Sequence, residues 1–156
     1  MPIRKFIYIR LLTLIMTALL PAGCSLFGPR VDIDSLSLDV APRANDDSPI
    51  AVDFVAANDS ELLARLSELT ARQWFATREQ YQRDFRQHLY VWGLELVPGQ
   101  LIESTDFPLE GKPAVGLLVF ANFQSPGAHR LRLEEQRTIR LKFDNREMTS
   151  LEPNPR

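Results

Sequence analysis

The 156-residue chain is 45% hydrophobic, 24% charged and 9% aromatic, with 7 glycines, 11 prolines and one cysteine. That describes one compact domain, or at most two, and excludes a disordered, collagen-like or low-complexity chain. Eighteen basic against 20 acidic residues give a formal charge of −2; residues 1–23 hold three of the basic and none of the acidic side chains, so without them 15 stand against 20, a balance that argues against a nucleic-acid surface.

The chain opens with a basic stretch (Met1 to Lys5), then an apolar run from Phe6 to Leu20 broken by Arg10 and two threonines, then the small-residue stretch Pro21-Ala22-Gly23. This is a secretory signal pattern over 1–23. From Leu11 the uninterrupted run falls short of the roughly 20 apolar residues that a membrane-spanning helix needs. Cys24 follows directly, and Leu20-Pro21-Ala22-Gly23-Cys24 resembles the lipobox of bacterial lipoproteins, with Pro21 at the place of the usual leucine. That resemblance implies a diacylglyceryl group on the Cys24 sulfur and an acyl group on its new amine. Ser25, rather than aspartate, follows the cysteine, and resemblance to enterobacterial lipoprotein sorting then implies export to the outer membrane. The competing reading is an ordinary secreted protein whose cysteine stays free. With one cysteine there is no intrachain disulfide, so the core must hold the fold.

Residues 24–34 are expected to be the lipidated cysteine and a tether, and 35–152 the folded domain. Leu36, Leu38 and Val40 alternate with Ser37 and Asp39, which predicts a strand with one buried face. Ala41 to Pro49 is dense in turn formers and is expected to be an exposed loop. Ile50, Val52 and Phe54 alternate with Ala51 and Asp53 in a second strand. Asn58 three residues before Glu61 reads as a helix start, and Leu62, Leu63, Leu66 and Leu69 predict one amphipathic helix from Asp59 to about Gln73. Thr77 with Gln80 repeats the start signal, and Tyr81 and Phe85 would share a face of a second short helix. The insertion spans about 58–86. Strands are then expected at Tyr90–Leu96, at the more polar Leu101–Phe107, at His129–Glu134, at Thr138–Asp144 and around Met148. Val115–Phe123 reads as a central strand covered on both faces. Residues 153–156 should fray. About seven short strands with one helical insertion after the second predict a mainly β fold, a β-sandwich.

Enzymatic motifs fail to assemble. There is no glycine-rich phosphate loop, no G-x-S-x-G elbow, and His88 and His129 have no ligand spacing to each other or to carboxylates. His129-Arg130 reads as a solvated strand end. Asn45-Asp46-Asp47 lacks the alternating oxygens, central glycine and terminal glutamate of a calcium loop. Trp74, placed at a helix end, and Trp92 read as core or rim aromatics. No catalytic residue, metal or cofactor is expected, apart from the covalent lipid on Cys24.

The lipobox, the first strand, the run Asn45-x-x-Ser48-Pro49 entering the second strand, the helical insertion and the Pro98-Gly99 turn after an apolar strand together resemble the TssJ lipoproteins of the type VI secretion system. The likeness covers most of residues 20–123 in order of elements, and only short motifs match in letters. The Val-x-x-Tyr-Gln-Leu run typical of the family's second strand is replaced here by Val52-Asp53-Phe54-Val55-Ala56-Ala57. The resemblance implies a transthyretin-like β-sandwich, held by its lipid on the periplasmic face of the outer membrane. It also implies a non-enzymatic role, binding the periplasmic part of an inner-membrane TssM-type protein. The contact would lie in Asn45, Asp46, Asp47, Ser48 and Pro49. An alternative from another class is a lipoprotein that binds a small ligand or lipid between sheet and helices; a third is an envelope hydrolase.

Overall fold

The computed structural model describes residues 28–133 and 137–151. The signal segment, Cys24, the start of the tether, Glu134 and the tail lie outside them. The described residues form β1 (Ser35–Val40), β2 (Ile50–Ala57), α1 (Ser60–Glu68), α2 (Ala71–Asp84), β3 (Leu89–Leu96), β4 (Leu101–Ser104), β5 (Gly116–Ala121), β6 (Arg130–Leu133), β7 (Thr138–Phe143) and β8 (Met148–Ser150). Two four-stranded sheets, ordered β4-β1-β7-β8 and β3-β2-β5-β6, face each other. The fold is mainly β, a transthyretin-like β-sandwich with the helices after β2, as the sequence predicts. The strand pairs are antiparallel except β1 with β7.

The period-2 pattern explains the layers. Ile50, Val52, Phe54 and Ala56 on β2, with Leu117, Val119 and Ala121 on β5, point into the space between the sheets. They meet Leu36, Leu38 and Val40 of β1 and Ile139, Leu141 and Phe143 of β7 there. Phe54 stacks on its cross-strand partner Trp92 at 5.1 Å, and Phe107 meets both rings edge-on at 5.4 and 5.5 Å. The strand expected at 101–107 thus ends at Ser104, and Phe107 turns inward as core. Val31 and Ile33 are also buried in this layer, so packing begins before Ser35.

The alternate residues of β2 and β5 face the helices. Val55, Ala57, Leu118 and Phe120 form a second core with Leu62, Leu63, Leu66, Ala71 and Trp74. Here several expectations change, first in the helices and then in β2. The helix predicted over 59–73 breaks at Leu69–Thr70, because Thr70 and Gln73 form a reciprocal capping box that starts α2. Asp59, not Asn58, caps α1 by accepting the Leu62 N–H at 2.7 Å. Thr77 starts nothing: its hydroxyl donates to the Gln73 carbonyl inside α2. Trp74 lies in the first turn of α2 rather than at the C-terminal end of the helix predicted over 59–73.

The change in β2 concerns Asp53, read from its alternation as a polar-face residue. It is 1% exposed, under α2. Trp74 Nε1 donates to it at 2.9 Å and Arg78 Nη1 at 3.1 Å. Gly93 sits opposite on β3, where a Cβ would stand 2.6 Å from the Asp53 carboxylate oxygen. Glycine there makes room for the carboxylate, and the carboxylate fixes α2 over the sheet.

Candidate functional site

Strand direction gives the sandwich two ends. β1 runs from the first described residues toward the β1–β2 loop, and β7 runs parallel to it. The pairing of β2, β3, β5 and β6 then gathers the segments 41–49, 97–100, 122–129 and 144–147 at one end, the loop end. Residues 28–34, 85–88 and 105–115 lie at the other, the tether end. Six strand residues separate them by about 20 Å.

The loop expected to be exposed is in part an interior structure. Ala44 and Asn45 are buried, Asn45 to 2% exposure. Asp46, Asp47 and Pro49 are exposed, and Ser48 is half-buried. Asn45, Asp46 and Asp47 have φ of 52°, 53° and 61°, three consecutive left-handed residues. Asn and Asp tolerate that region better than other side chains, but each such residue still carries a conformational cost. Hydrogen bonds hold it in place. The Asn45 Nδ2 donates to the Pro49 carbonyl at 3.0 Å, and its Oδ1 accepts the Gln124 N–H at 2.7 Å. Its backbone N–H donates to the Asn145 carbonyl at 3.1 Å, and the Asp46 N–H donates to Asn145 Oδ1 at 2.9 Å. Asn45 is therefore an internal fastener between three loops, while Asp46 and Asp47 offer their side chains to solvent. The Arg43–Asp47 ion pair at 3.3 Å is too exposed to add much rigidity.

His129 is not a solvated strand end. It has φ 45°, packs on Phe123 at 4.9 Å between centroids, and places Nε2 at 2.9 Å from the Ser125 carbonyl. A carbonyl only accepts, so Nε2 carries the proton. The Ser125 hydroxyl, 3.3 Å from the same nitrogen, donates to the Arg146 carbonyl at 2.9 Å. The pair thus lacks the hydroxyl-to-base geometry of a nucleophile and instead ties the β5–β6 loop to the β7–β8 loop. His88 lies at the tether end. Among the described residues no three His, Cys, Asp or Glu side chains gather as a metal site.

The helix break also belongs to the loop end. The Ala71 N–H donates to the Ala128 carbonyl at 2.8 Å, and Arg130 Nη1 donates to the Leu69 carbonyl at 2.6 Å, satisfying the end of α1.

At the tether end, Arg137 grips Asp34 through two bonds of 2.7 and 2.9 Å and reaches Asp32 at 3.2 Å. The hydrogen bonds from Arg137 hold the Asp34 carboxyl below its ordinary value of 3.8, and the same bonds raise Arg137. A cleft of about 390 Å³ lies beside them, lined by Val31, Ile33, Val115, Leu117, Arg132 and Arg137 among others.

The described residues thus define a two-sheet β-sandwich with two helices after its second strand. A scan of protein-family models and a search of curated protein sequences find no match. Solved structures do match. The type VI secretion lipoprotein TssJ1 from Pseudomonas aeruginosa aligns with 78% of this chain and 96% of its own, at 18% identity and TM-score 0.54. The Serratia marcescens Lip, described as a membrane-bound component of the type VI secretion system, aligns with 77% of this chain and 96% of its own, at 13% identity and TM-score 0.53. A chain of the structure described as the TssM C-terminal domain (869-1107) from EAEC aligns over 76% of this chain and 97% of its own, at 16% identity and TM-score 0.57. This chain has the fold of the TssJ-type lipoproteins.

Proposed function

We propose that this chain is a non-enzymatic lipoprotein of a type VI secretion membrane complex. Acyl groups on Cys24 anchor it in the outer membrane facing the periplasm, and its loop end binds the periplasmic part of a TssM-type inner-membrane protein. The observation that carries the reading is the match to 96–97% of the length of chains in structures described as type VI secretion components. The two-ended layout supports it. Gly28, at the tether end, is four residues from Cys24, a reach of at most about 14 Å, so the loop end would face away from the anchoring membrane. Asp46, Asp47, Ser48 and Pro49 would contact the partner, and Asn45 would hold them in place. Three acyl chains, at about 0.8 kcal/mol per buried CH₂, suffice for lasting attachment.

The alternative of a ligand between sheet and helices gains no support, since that layer is filled by Leu62, Leu66, Trp74, Leu118 and Phe120, all at most 2% exposed. The test is affinity purification of the lipoprotein from mild-detergent envelopes, with mass spectrometry of what accompanies it. A large inner-membrane protein is expected with the native form and less of it with Asp46→Ala/Asp47→Ala. A lipoprotein that runs alone, in cells that express the secretion system, would overturn the reading. In parallel, Cys24→Ser should leave the membrane fraction.

A further inference from the structure

We infer that the partner-binding surface is not the β1–β2 loop alone but a rigid platform of three loops, 43–49, 122–128 and 144–147, with Asn45 as its positioning residue. The inference rests on the proposed binding of a TssM-type protein at this end. Asn45 is 2% exposed, and no side chain so placed can be a principal contact. What it can do is join: it accepts from Gln124 on one loop, donates to the Asn145 carbonyl on another, and closes its own loop on Pro49. Ser125 adds a further bond between the second and third loops through the Arg146 carbonyl. The left-handed turn at 45–47 is unfavourable by itself, so its shape is dictated by these neighbours. Any partner that reads Asp46 and Asp47 must therefore meet the adjoining exposed residues Gln124, Pro126, Arg146 and Glu147 in fixed relation to them. Three of the four are polar, and Arg146 and Glu147 carry opposite signs, which fits a hydrogen-bonding, mixed-charge protein surface. A domain approaching from the inner membrane would meet all three loops together, because they lie at the end opposite the tether. Rigidity matters energetically as well, since a preordered surface loses less entropy on binding.

The test uses the detergent-purified full lipoprotein and the periplasmic part of the TssM-type protein in a binding titration. Arg146→Glu is expected to weaken binding about tenfold, comparably to Asp46→Ala/Asp47→Ala. Arg86→Ala at the tether end should leave it unchanged. Asn45→Gly keeps the left-handed backbone but removes the fastener, and should weaken binding by a similar factor; in the Asp46→Ala/Asp47→Ala background its effect should be smaller but not absent, because Asn45 also holds the loops of Gln124 and Arg146. If the two aspartates matter while Arg146→Glu and Asn45→Gly bind as the native chain does, the platform is wrong and the single-loop reading stands. A fully additive Asn45→Gly effect would also overturn the positioning role. If the native lipoprotein does not bind at all, the platform falls with the reading beneath it.

Discussion

The two ends of the sandwich are held together by different chemistry. At the loop end a buried amide, Asn45, and half-buried Ser125 and His129 join three loops through bonds to backbone groups. At the tether end Arg137, Asp32 and Asp34 form ion pairs whose side chains are about 60% exposed. A buried hydrogen bond costs dearly when one partner is removed, because the other is left unsatisfied. An exposed ion pair is screened by salt and contributes little. The loop end is thus fixed by buried bonds, whereas the ion pairs of the tether end add little to the hold of its buried Val31 and Ile33.

Substitutions in the body between the ends should have the largest effect and strike both alike. Gly93→Val puts atoms where the Asp53 oxygen stands and should cost about 3 kcal/mol or more, seen as a lower midpoint in urea unfolding with faster hydrogen exchange at both ends. Asn45→Ala comes next, at about 2–3 kcal/mol. It loses the bonds to Pro49 and Gln124 and places alanine at positive φ; hydrogen exchange should rise in 43–49, 122–128 and 144–147 and remain unchanged in 29–34. Asn45→Gly should recover part of that loss, because glycine accepts the left-handed backbone.

The smallest effect is expected at the tether end. Asp34 has its carboxyl held below 3.8 by Arg137, so its contribution to stability is fully present above about pH 5 and is lost as the pH falls through its folded-state value. Arg137→Ala should abolish that acid-limb dependence by lowering stability slightly at neutral pH and leaving it unchanged in acid, as a pH series of thermal unfolding would record. A pH response that moved the loop end as well would contradict the separation of the two ends.

Period-2 alternation made most of the sandwich legible. Leu36-Leu38-Val40, Ile50-Val52-Phe54 and Ile139-Leu141-Phe143 all bury the faces they suggest, and the apolar run at 115–123 holds the shorter inner strand β5, Gly116–Ala121, covered on both sides. Two of the misses, Asp53 and Asn45, have a common cause. Asp53 breaks the apolar pattern on the helix-facing side, yet Trp74 and Arg78, more than 20 residues away, supply the bonds that let a carboxylate be buried there. Asn45 looks like an ordinary turn residue because its partners, Gln124 and Asn145, lie about 80 and 100 positions downstream. The helix break at Leu69–Thr70 did carry a local signal, Thr70 with Gln73, that the leucine periodicity across it concealed.

The most direct test of the account is hydrogen exchange of the protein with and without the periplasmic part of a TssM-type protein. The account predicts protection at 43–49, 122–128 and 144–147, with 29–34 and 110–116 unchanged. Protection at the tether end, with the three loops unaffected, would contradict it.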